Sequence, residues 1–200
     1  MIKSFSVGDK RKRNQPPHVL DYVGYRPDVR RSVCVQTIAE LLLSEEYSLQ
    51  SVEAAISIFD RYAAASSRHF STDDLINICM VCSMLATKLH ERCFLSVAVE
   101  TSEFNNMTAK QAKELELDIL VSLDWKIPHE GCLLQAIDSM CSSPDWNRLT
   151  PWLQNAWVNP TVLRAYPTDV LAASILAVAM GDTHPKSNDV CITMLKRDCK

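Results

Sequence analysis

Glycine is scarce in this chain, and the scarcity constrains the fold more than any other feature of the sequence. Only 4 of the 200 residues are glycine, whereas hydrophobic residues make up 47%. Barrels and sandwiches need glycine at turns and bulges, and doubly wound α/β folds need it in the loops that connect strands to helices. A chain with few glycines and enough apolar residues for a sizeable core is expected to be all-α.

The net charge and the pattern of apolar residues limit the kinds of partner and the cellular compartment that we expect for this chain. The formal net charge of −3 provides no overall attraction to nucleic acid or an anionic membrane, and we expect neither as a partner. The longest nearly apolar run, Val170–Met180, is too short to cross a bilayer, and the N-terminal segment lacks the apolar stretch of a secretory signal. Most of the 8 cysteines lie in apolar helical stretches, which is typical of buried, reduced thiols. We therefore expect an intracellular protein, in the nucleus and/or the cytoplasm.

Apolar periodicity divides the chain into three parts. Residues 1–27 show little periodicity and contain a basic cluster, Lys10–Arg13, that fits a nuclear import signal and a solvated tail equally well. They are predicted to form a flexible N-terminal arm. Residues 28–128 are predicted to hold five helices, and residues 129–200 about four more after the break at Pro128. The predicted helices cover about residues 28–44, 50–65, 71–89, 94–103 and 108–123, and then 130–142, 149–158, 167–181 and 187–197.

Four short features occur in order along the first five predicted helices. They are Arg31, FDRY at 59–62, LATKLHE at 85–91 and LELDILVSLDWKI at 115–127. Together they resemble the cyclin box over about residues 28–128, and LRAYPTDVLAASILA at 163–177 resembles the third helix of the second cyclin fold. The resemblance implies a cyclin fold, in which a five-helix cyclin box is followed by a shortened, cyclin-like second region.

The resemblance also implies a function and a binding surface. Cyclins bind and activate cyclin-dependent serine/threonine protein kinases, and the family's kinase-contacting lysine and glutamate match Lys88 and Glu116. Lysine offers donors and carboxylate offers acceptors, so the two can bind backbone groups at one end of a partner helix. Trp125 matches an aromatic position that inserts into the kinase, although a core tryptophan is an equally good interpretation. Ile127 is its expected neighbour on this surface.

A second pair is implied to be structural. In the family, an arginine of the first helix pairs with the aspartate of the D-R-[FY] segment, and Arg31 and Asp60 match these positions. The alternative is two solvated surface charges of little energetic value. Because Asp60 follows Phe59 on an otherwise apolar helix end, we expect a buried pair that fixes the geometry of the first two helices.

The sequence departs from many cell-cycle cyclins at their substrate-docking patch. That patch is a Met-Arg-Ala-Ile-Leu run followed by a tryptophan, whereas the chain has RRSVC at 30–34 and Thr37 at the tryptophan position. Threonine cannot supply a broad apolar platform, although Glu40 keeps the acidic residue. We expect no substrate recruitment by that route, and the LELDIL run is closer to the short cyclins of the P or U class.

Several residues of the sequence are also compatible with functions other than kinase regulation. Cys79, Cys82, His90 and Cys93 are zinc-ligand types, but the first two lie within an apolar helix, which favours buried thiols. No phosphate-binding glycine loop is present, and we expect no enzymatic activity, no cofactor and no metal. The alternatives are a cyclin-fold, transcription-factor-like adaptor that binds DNA or protein, and a helical scaffold. We expect a monomer before kinase binding.

Overall fold

The structure is a computed structural model that describes residues 29–66, 68, 70–93, 107–127, 132–181 and 187–197. Statements about structure refer to these residues. The predicted arm at 1–27 and the predicted short helix at 94–103 lie outside them. The described residues form helices and no strands, which confirms the all-α prediction. The helices are α1 (Val29–Ser44), α2 (Leu49–Ala65), α3 (Thr72–His90), α4 (Ala109–Ser122), α5 (Cys132–Met140), α6 (Trp146–Val158), α7 (Pro160–Ala165), α8 (Thr168–Met180) and α9 (Asp189–Arg197).

Helices α3 and α4 both begin at capping boxes. The Ser71 hydroxyl accepts the backbone N–H of Asp74, and the Asp74 carboxylate accepts the backbone N–H of Ser71 in return. Thr108 and Gln111 make the same reciprocal bonds at the start of α4. Each box satisfies two backbone groups that would otherwise lack partners, and it fixes the residue at which its helix begins.

Helix α3 lies at the centre of the first half, as its all-round apolar sequence predicts. Every residue from Ile78 to Thr87 is buried, and the helix contacts α1, α2 and α4. A helix that is apolar on all faces can satisfy the hydrophobic effect only when other helices surround it. The last turn of α3, which contains Lys88, emerges from this core at the surface.

Helix α8 has the corresponding central position in the second half. It contacts α5, α6 and α9, and residues 171–176 are all buried. Gly181 ends the helix with φ at 76°, a left-handed conformation that glycine adopts without steric cost. The hydrophobic core is continuous between the halves, and α1 contacts α6 directly.

Helix α6 begins three residues earlier than predicted. The expected start at residue 149 places Pro151 beside a joint, whereas the helix begins at Trp146 and includes Pro151. Asp145 caps it by accepting the backbone N–H of Arg148. Pro151 lacks the N–H that would bond the carbonyl of Asn147, and its ring crowds that carbonyl, so the helix contains this proline at an energetic cost.

Helix α7 is short and was not predicted. Pro160 occupies its first position, and the Asn159 side chain accepts the backbone N–H groups of Thr161 and Val162. Asparagine followed by proline is a strong start for a helix, but six residues are too few for apolar periodicity to be visible.

Glu91 joins the end of α3 to the start of α2. Its Oε1 accepts the backbone N–H of Ser48 at 2.9 Å and the hydroxyls of Ser48 and Ser51 at 2.6 Å each. Burial raises the pKa of this carboxyl, but the hydrogen bonds from the two serines outweigh burial, and the net pKa is lowered. A carboxylate near a helix N-terminus also interacts favourably with the helix dipole.

We expect Glu91→Ala to lower the free energy of unfolding by about 1–3 kcal/mol, because two hydroxyls and one amide lose their charged acceptor. Since the folded-state pKa is depressed, this stabilisation is present above the ordinary pKa of 4.5 and is lost as pH falls through the lower, folded-state value. Urea denaturation at several pH values tests both points. The control is Glu45→Ala, because Glu45 is an exposed glutamate in the loop between α1 and α2. An equal loss in both variants would contradict the role of Glu91.

Candidate functional site

The last turn of α3 and the middle of α4 bring Lys88 and Glu116 together at the surface. The Lys88 Nζ lies 2.7 Å from each carboxylate oxygen of Glu116, although 28 positions separate the two residues in the sequence. The side chains are 33% and 21% exposed, respectively. A partly exposed pair of this kind contributes about 0–1 kcal/mol to stability, so stability alone does not account for it.

The Lys88–Glu116 pair retains hydrogen-bonding capacity. Lysine has three N–H donors, of which two point to Glu116 in this arrangement, and each carboxylate oxygen has a further lone pair. The partners that the structure describes for Lys88 and Glu116 are each other. The pair can therefore offer a donor and acceptors to a third group without first breaking its own contact.

Trp125 lies just beyond α4, and its side chain is 63% exposed. This exposure is not that of a core tryptophan, which was one of the two interpretations of the sequence. The backbone holds it in place: the Trp125 N–H donates to the carbonyl of Leu120 at 2.8 Å, and the Asp124 N–H donates to that of Val121 at 3.0 Å. These are the two bonds of a Schellman motif at a helix C-terminus.

The same turn contains local backbone strain. Asp124 and Trp125 have φ values of 54° and 56°, which lie in the left-handed region that bulky residues rarely adopt. Left-handed non-glycine residues cost of order 1–3 kcal/mol each and persist only where surrounding contacts enforce them. The strained turn thus fixes an exposed tryptophan beside α4.

Ile127 differs from Trp125 in its surroundings. It is partly buried and packs against the hydrophobic core, so it does not share the exposure of the tryptophan. Of the four residues predicted to contact a kinase, Lys88 and Glu116 are in contact with each other, Trp125 is largely exposed, and Ile127 is partly buried against the core.

Two apolar residues of this surface were missed. Leu117 and Val121 are 54% and 58% exposed and lie four residues apart, so they share the outer face of α4. These two residues and Trp125, which follows the helix, are here called the outer stripe. The sequence contained a sign of it, because apolar residues spaced three or four apart from Ala112 to Leu123 define an inner face that does not include Leu117 and Val121.

Arg31 and Asp60 form a buried bidentate ion pair. Arg31 Nη2 lies 2.6 Å from Asp60 Oδ2, and Nε lies 2.8 Å from Oδ1, with side chains 0% and 1% exposed. Arg31 also donates from Nη1 to the backbone carbonyl of Trp157 at 2.9 Å. This third contact was not predicted, and it ties α1 and α2 to the end of α6 in the second half.

Among the described residues, the exposed side chains of α1 and the cysteines of α3 do not form an ion pair of this kind. Val33 is 57% exposed, and the Thr37 hydroxyl donates back to the Val33 carbonyl at 2.9 Å.

The cysteines of α3 are poor metal ligands. Contact with Cys34 and burial raise the pKa of the Cys79 thiol, and burial raises the pKa of the Cys82 thiol, so both stay protonated. Among the described residues, no group of histidine, cysteine and carboxylate side chains could hold a metal ion. Within the same residues, no helix has the length and apolar character needed to cross a membrane.

Comparison with known proteins identifies the family. The sequence profile described as "Cyclin, N-terminal domain" matches residues 3–128. The chain belongs to the cyclin family. The match ends where the predicted first region ends, and it begins within the predicted arm. No relative is found among the curated protein sequences. Family membership identifies this cyclin as a cyclin-type regulator.

The fold of this cyclin is similar to that of a solved viral cyclin. The comparison structure is the X-ray structure of a viral cyclin from herpesvirus saimiri, with a TM-score of 0.72 and 16% sequence identity. The similarity covers 88% of this chain and 86% of the viral one. At this identity the similarity shows the fold alone, and it confirms the predicted cyclin fold.

We expect Arg31→Ala and Asp60→Ala each to lower the free energy of unfolding by about 3–5 kcal/mol, because each leaves a buried charge without its partner. Arg30→Ala is the matched control, since Arg30 is the exposed neighbour of Arg31, and its loss should stay near 0.5 kcal/mol. Chemical denaturation of the singles and the double mutant measures the coupling. A double mutant whose loss equals the sum of the single losses would show that the residues do not interact.

Proposed function

We propose that this cyclin is the regulatory subunit of a cyclin-dependent serine/threonine protein kinase and binds the kinase through Lys88, Glu116, Trp125 and Ile127. The observation that carries the proposal is the preformed Lys88–Glu116 pair, together with an exposed tryptophan that follows the same helix, α4, in a constrained backbone turn. Family membership supplies the class of partner, and the geometry supplies a surface that such a partner would fit.

The charged part of the surface suits the end of a helix. The last carbonyls of a helix need donors and its first N–H groups need acceptors. The Lys88–Glu116 pair has both a spare donor and spare acceptors, and its two halves already hold each other in position. Preorganisation of this kind lowers the entropy that binding would otherwise lose. The kinase segment that we propose to dock here is the mobile helix of its small lobe.

The apolar part of the surface would supply most of the affinity. Trp125 and the rest of the outer stripe are large hydrophobic side chains in water, and Leu89, next to Lys88, is 40% exposed. Exposed large apolar side chains on elements that also carry a charged pair are typical of a protein interface. Tryptophan is enriched among the residues that dominate such interfaces, because it buries a large area with little conformational freedom to lose.

The mechanism that follows is a shift of the kinase's conformational equilibrium. Docking would stabilise the inward position of the mobile helix, which completes the kinase's own lysine–glutamate pair and helps to order its activation loop. The cyclin acts as a ligand that binds the active state better than the inactive state. On this proposal the kinase performs all of the chemistry, and the cyclin is not an enzyme.

Substitutions in the charged pair should separate binding from folding. Lys88→Ala and Glu116→Ala should each leave the free protein within about 1 kcal/mol of wild-type stability, because the pair is partly solvated. Each should weaken kinase binding by about 2–4 kcal/mol, because truncation leaves a desolvated group of the partner unpaired. Kinase activation should fall in parallel with binding.

The experiment has two stages. Immobilised wild-type protein first captures kinases from a lysate of the source organism, which are identified by mass spectrometry, and the captured kinase is then titrated with each variant. Lys196→Ala and Asp138→Ala are the controls, since both residues are exposed and lie in the second half. Unchanged affinity in both Lys88→Ala and Glu116→Ala would refute the proposed surface. A thermal melt of each free variant accompanies the titration, and a large loss of Tm would assign the pair a structural role instead.

A further inference from the structure

Helix α4 packs on the rest of the first half through a narrow apolar seam. Within the helix, Ala112 and Ile119 are fully buried, and Leu115 and Leu120 are partly buried against the core. Leu123, just past the helix end, is also buried. Burial of apolar surface has no preferred direction, so a seam of this width allows the helix to turn slightly about its own axis. The exact rotation of α4 therefore depends on its polar contacts.

Two polar contacts hold α4 on opposite sides of this seam. On one side, Glu116 binds Lys88 of α3. On the other side, Asp118 accepts the hydroxyl of Tyr62 of α2 at 2.6 Å. At about 100° per residue, Glu116 lies about 60° to one side of Ile119, and Asp118 lies about 100° to the other side. Hydrogen bonds are directional, so rotation of α4 in either sense would strain these contacts.

Tyr62 is a hydrogen-bond donor that its surroundings hold in place. The residue is 2% exposed, and its ring packs against Phe70 with the ring centroids 5.9 Å apart. It lies on the same turn of α2 as Asp60, which is fixed by its ion pair with Arg31. Burial and the hydrogen bond to Asp118 both raise the pKa of the phenol, so the hydroxyl keeps its proton.

A second group near Asp118 holds it less firmly than Tyr62 does. Arg68 Nη1 lies 3.9 Å from the same Asp118 Oδ2, and the two side chains are 73% and 43% exposed. An ion pair at this distance in water contributes little, because solvent screens the charges and both side chains lose freedom. The Tyr62 hydroxyl is thus the principal contact on this side of α4.

We propose that Tyr62 is a positioning residue for the candidate kinase-binding surface: its hydrogen bond to Asp118 fixes the rotation of α4 at which Glu116 meets Lys88. The effect on the Lys88–Glu116 pair concerns the free protein, and only the consequence for kinase binding rests on the proposed function. The D-R-[FY] segment accommodates phenylalanine at this position. Tyr62→Phe is therefore expected to fold, and it removes the hydroxyl alone.

The first test measures the Lys88–Glu116 pair by NMR in the free, full-length chain. The reporter is the signal of the Lys88 Cε methylene group, and Glu116→Ala gives the position of this signal when the contact is lost. In Tyr62→Phe and in Asp118→Ala, the signal should move from its wild-type position toward its position in Glu116→Ala. The reason is that α4 without this hydrogen bond samples rotations in which the carboxylate is farther from the ammonium group.

Three further variants separate a positioning role from a general loss of stability. Asp118→Asn keeps an oxygen that can accept the Tyr62 hydroxyl, so the reporter signal should stay near its wild-type position. Arg68→Ala removes only the exposed cation and should leave the signal unchanged. Tyr166→Phe is the matched control, because it removes a partly buried tyrosine hydroxyl in the second half, and it should leave the signal unchanged too.

Two results would overturn the proposal. One is a Lys88 signal that stays at its wild-type position in both Tyr62→Phe and Asp118→Ala. The other is an equal shift in Asp118→Asn and Asp118→Ala, which would show that the hydrogen bond is not what matters. Circular dichroism checks that each variant is folded. Should Tyr62→Phe fail to fold, Asp118→Ala decides the question, because it changes a side chain that is 43% exposed.

The second test titrates the captured kinase with the same variants. Tyr62→Phe should weaken binding about tenfold, because a pair that is no longer held in place must be ordered on binding. Asp118→Asn should bind as the wild type does. A shifted NMR signal with unchanged affinity would leave the positioning contact intact and refute the proposed kinase surface. Weak binding by Lys88→Ala, with no shift and no loss of affinity in Tyr62→Phe, would support the surface and refute the positioning role.

Discussion

The buried guanidinium of Arg31 is the constraint on which the arrangement of both halves depends. Its contacts with Asp60 and with the carbonyl of Trp157 fix α1 against α2 and against the end of α6 at once. A buried ion pair adds little net stability compared with apolar residues of the same shape, since desolvation offsets the attraction. Its value is geometric, because any other packing of these three helices would leave a charge unpaired in a water-free core. The second half is thereby part of the same packing unit as the cyclin box.

Much of this fold follows from sequence-local physics. Capping boxes at Ser71 and Thr108 fix where α3 and α4 begin, and a hydroxyl three residues before an acceptor is a pattern that a sequence can show. The central position of α3 followed from its all-round apolar composition. The contact between Lys88 and Glu116 was expected only through the resemblance to cyclins, because nothing in the sequence itself relates two residues on different helices.

What could not be predicted depends on distant backbone atoms and on unusual backbone conformations. Arg31 binds the backbone carbonyl of Trp157, and Glu53 binds the backbone N–H groups of Leu133 and Leu134. Backbone groups are the same in nearly every residue, so no sequence motif marks these as the partners. From the sequence alone, Glu53 is an ordinary polar residue of an amphipathic helix. The early start of α6 was missed because Pro151 was interpreted as lying at a joint, whereas the helix begins at Trp146 and continues through it.

The turn at Trp125 shows how stability and a surface role are balanced in this protein. Glycine or asparagine at the two left-handed positions would lower the backbone strain, and a polar residue at position 125 would avoid exposing a large apolar side chain to water. The chain instead has Asp124 and an exposed Trp125 at these positions. Local rules are most often broken at functional sites, where the gain is made elsewhere. Here the two bonds to α4 fix the backbone from which the indole projects, just beyond the helix that carries Glu116. On the proposed function, a partner that covered the tryptophan would meet a backbone already fixed in place, and binding would cost little backbone entropy.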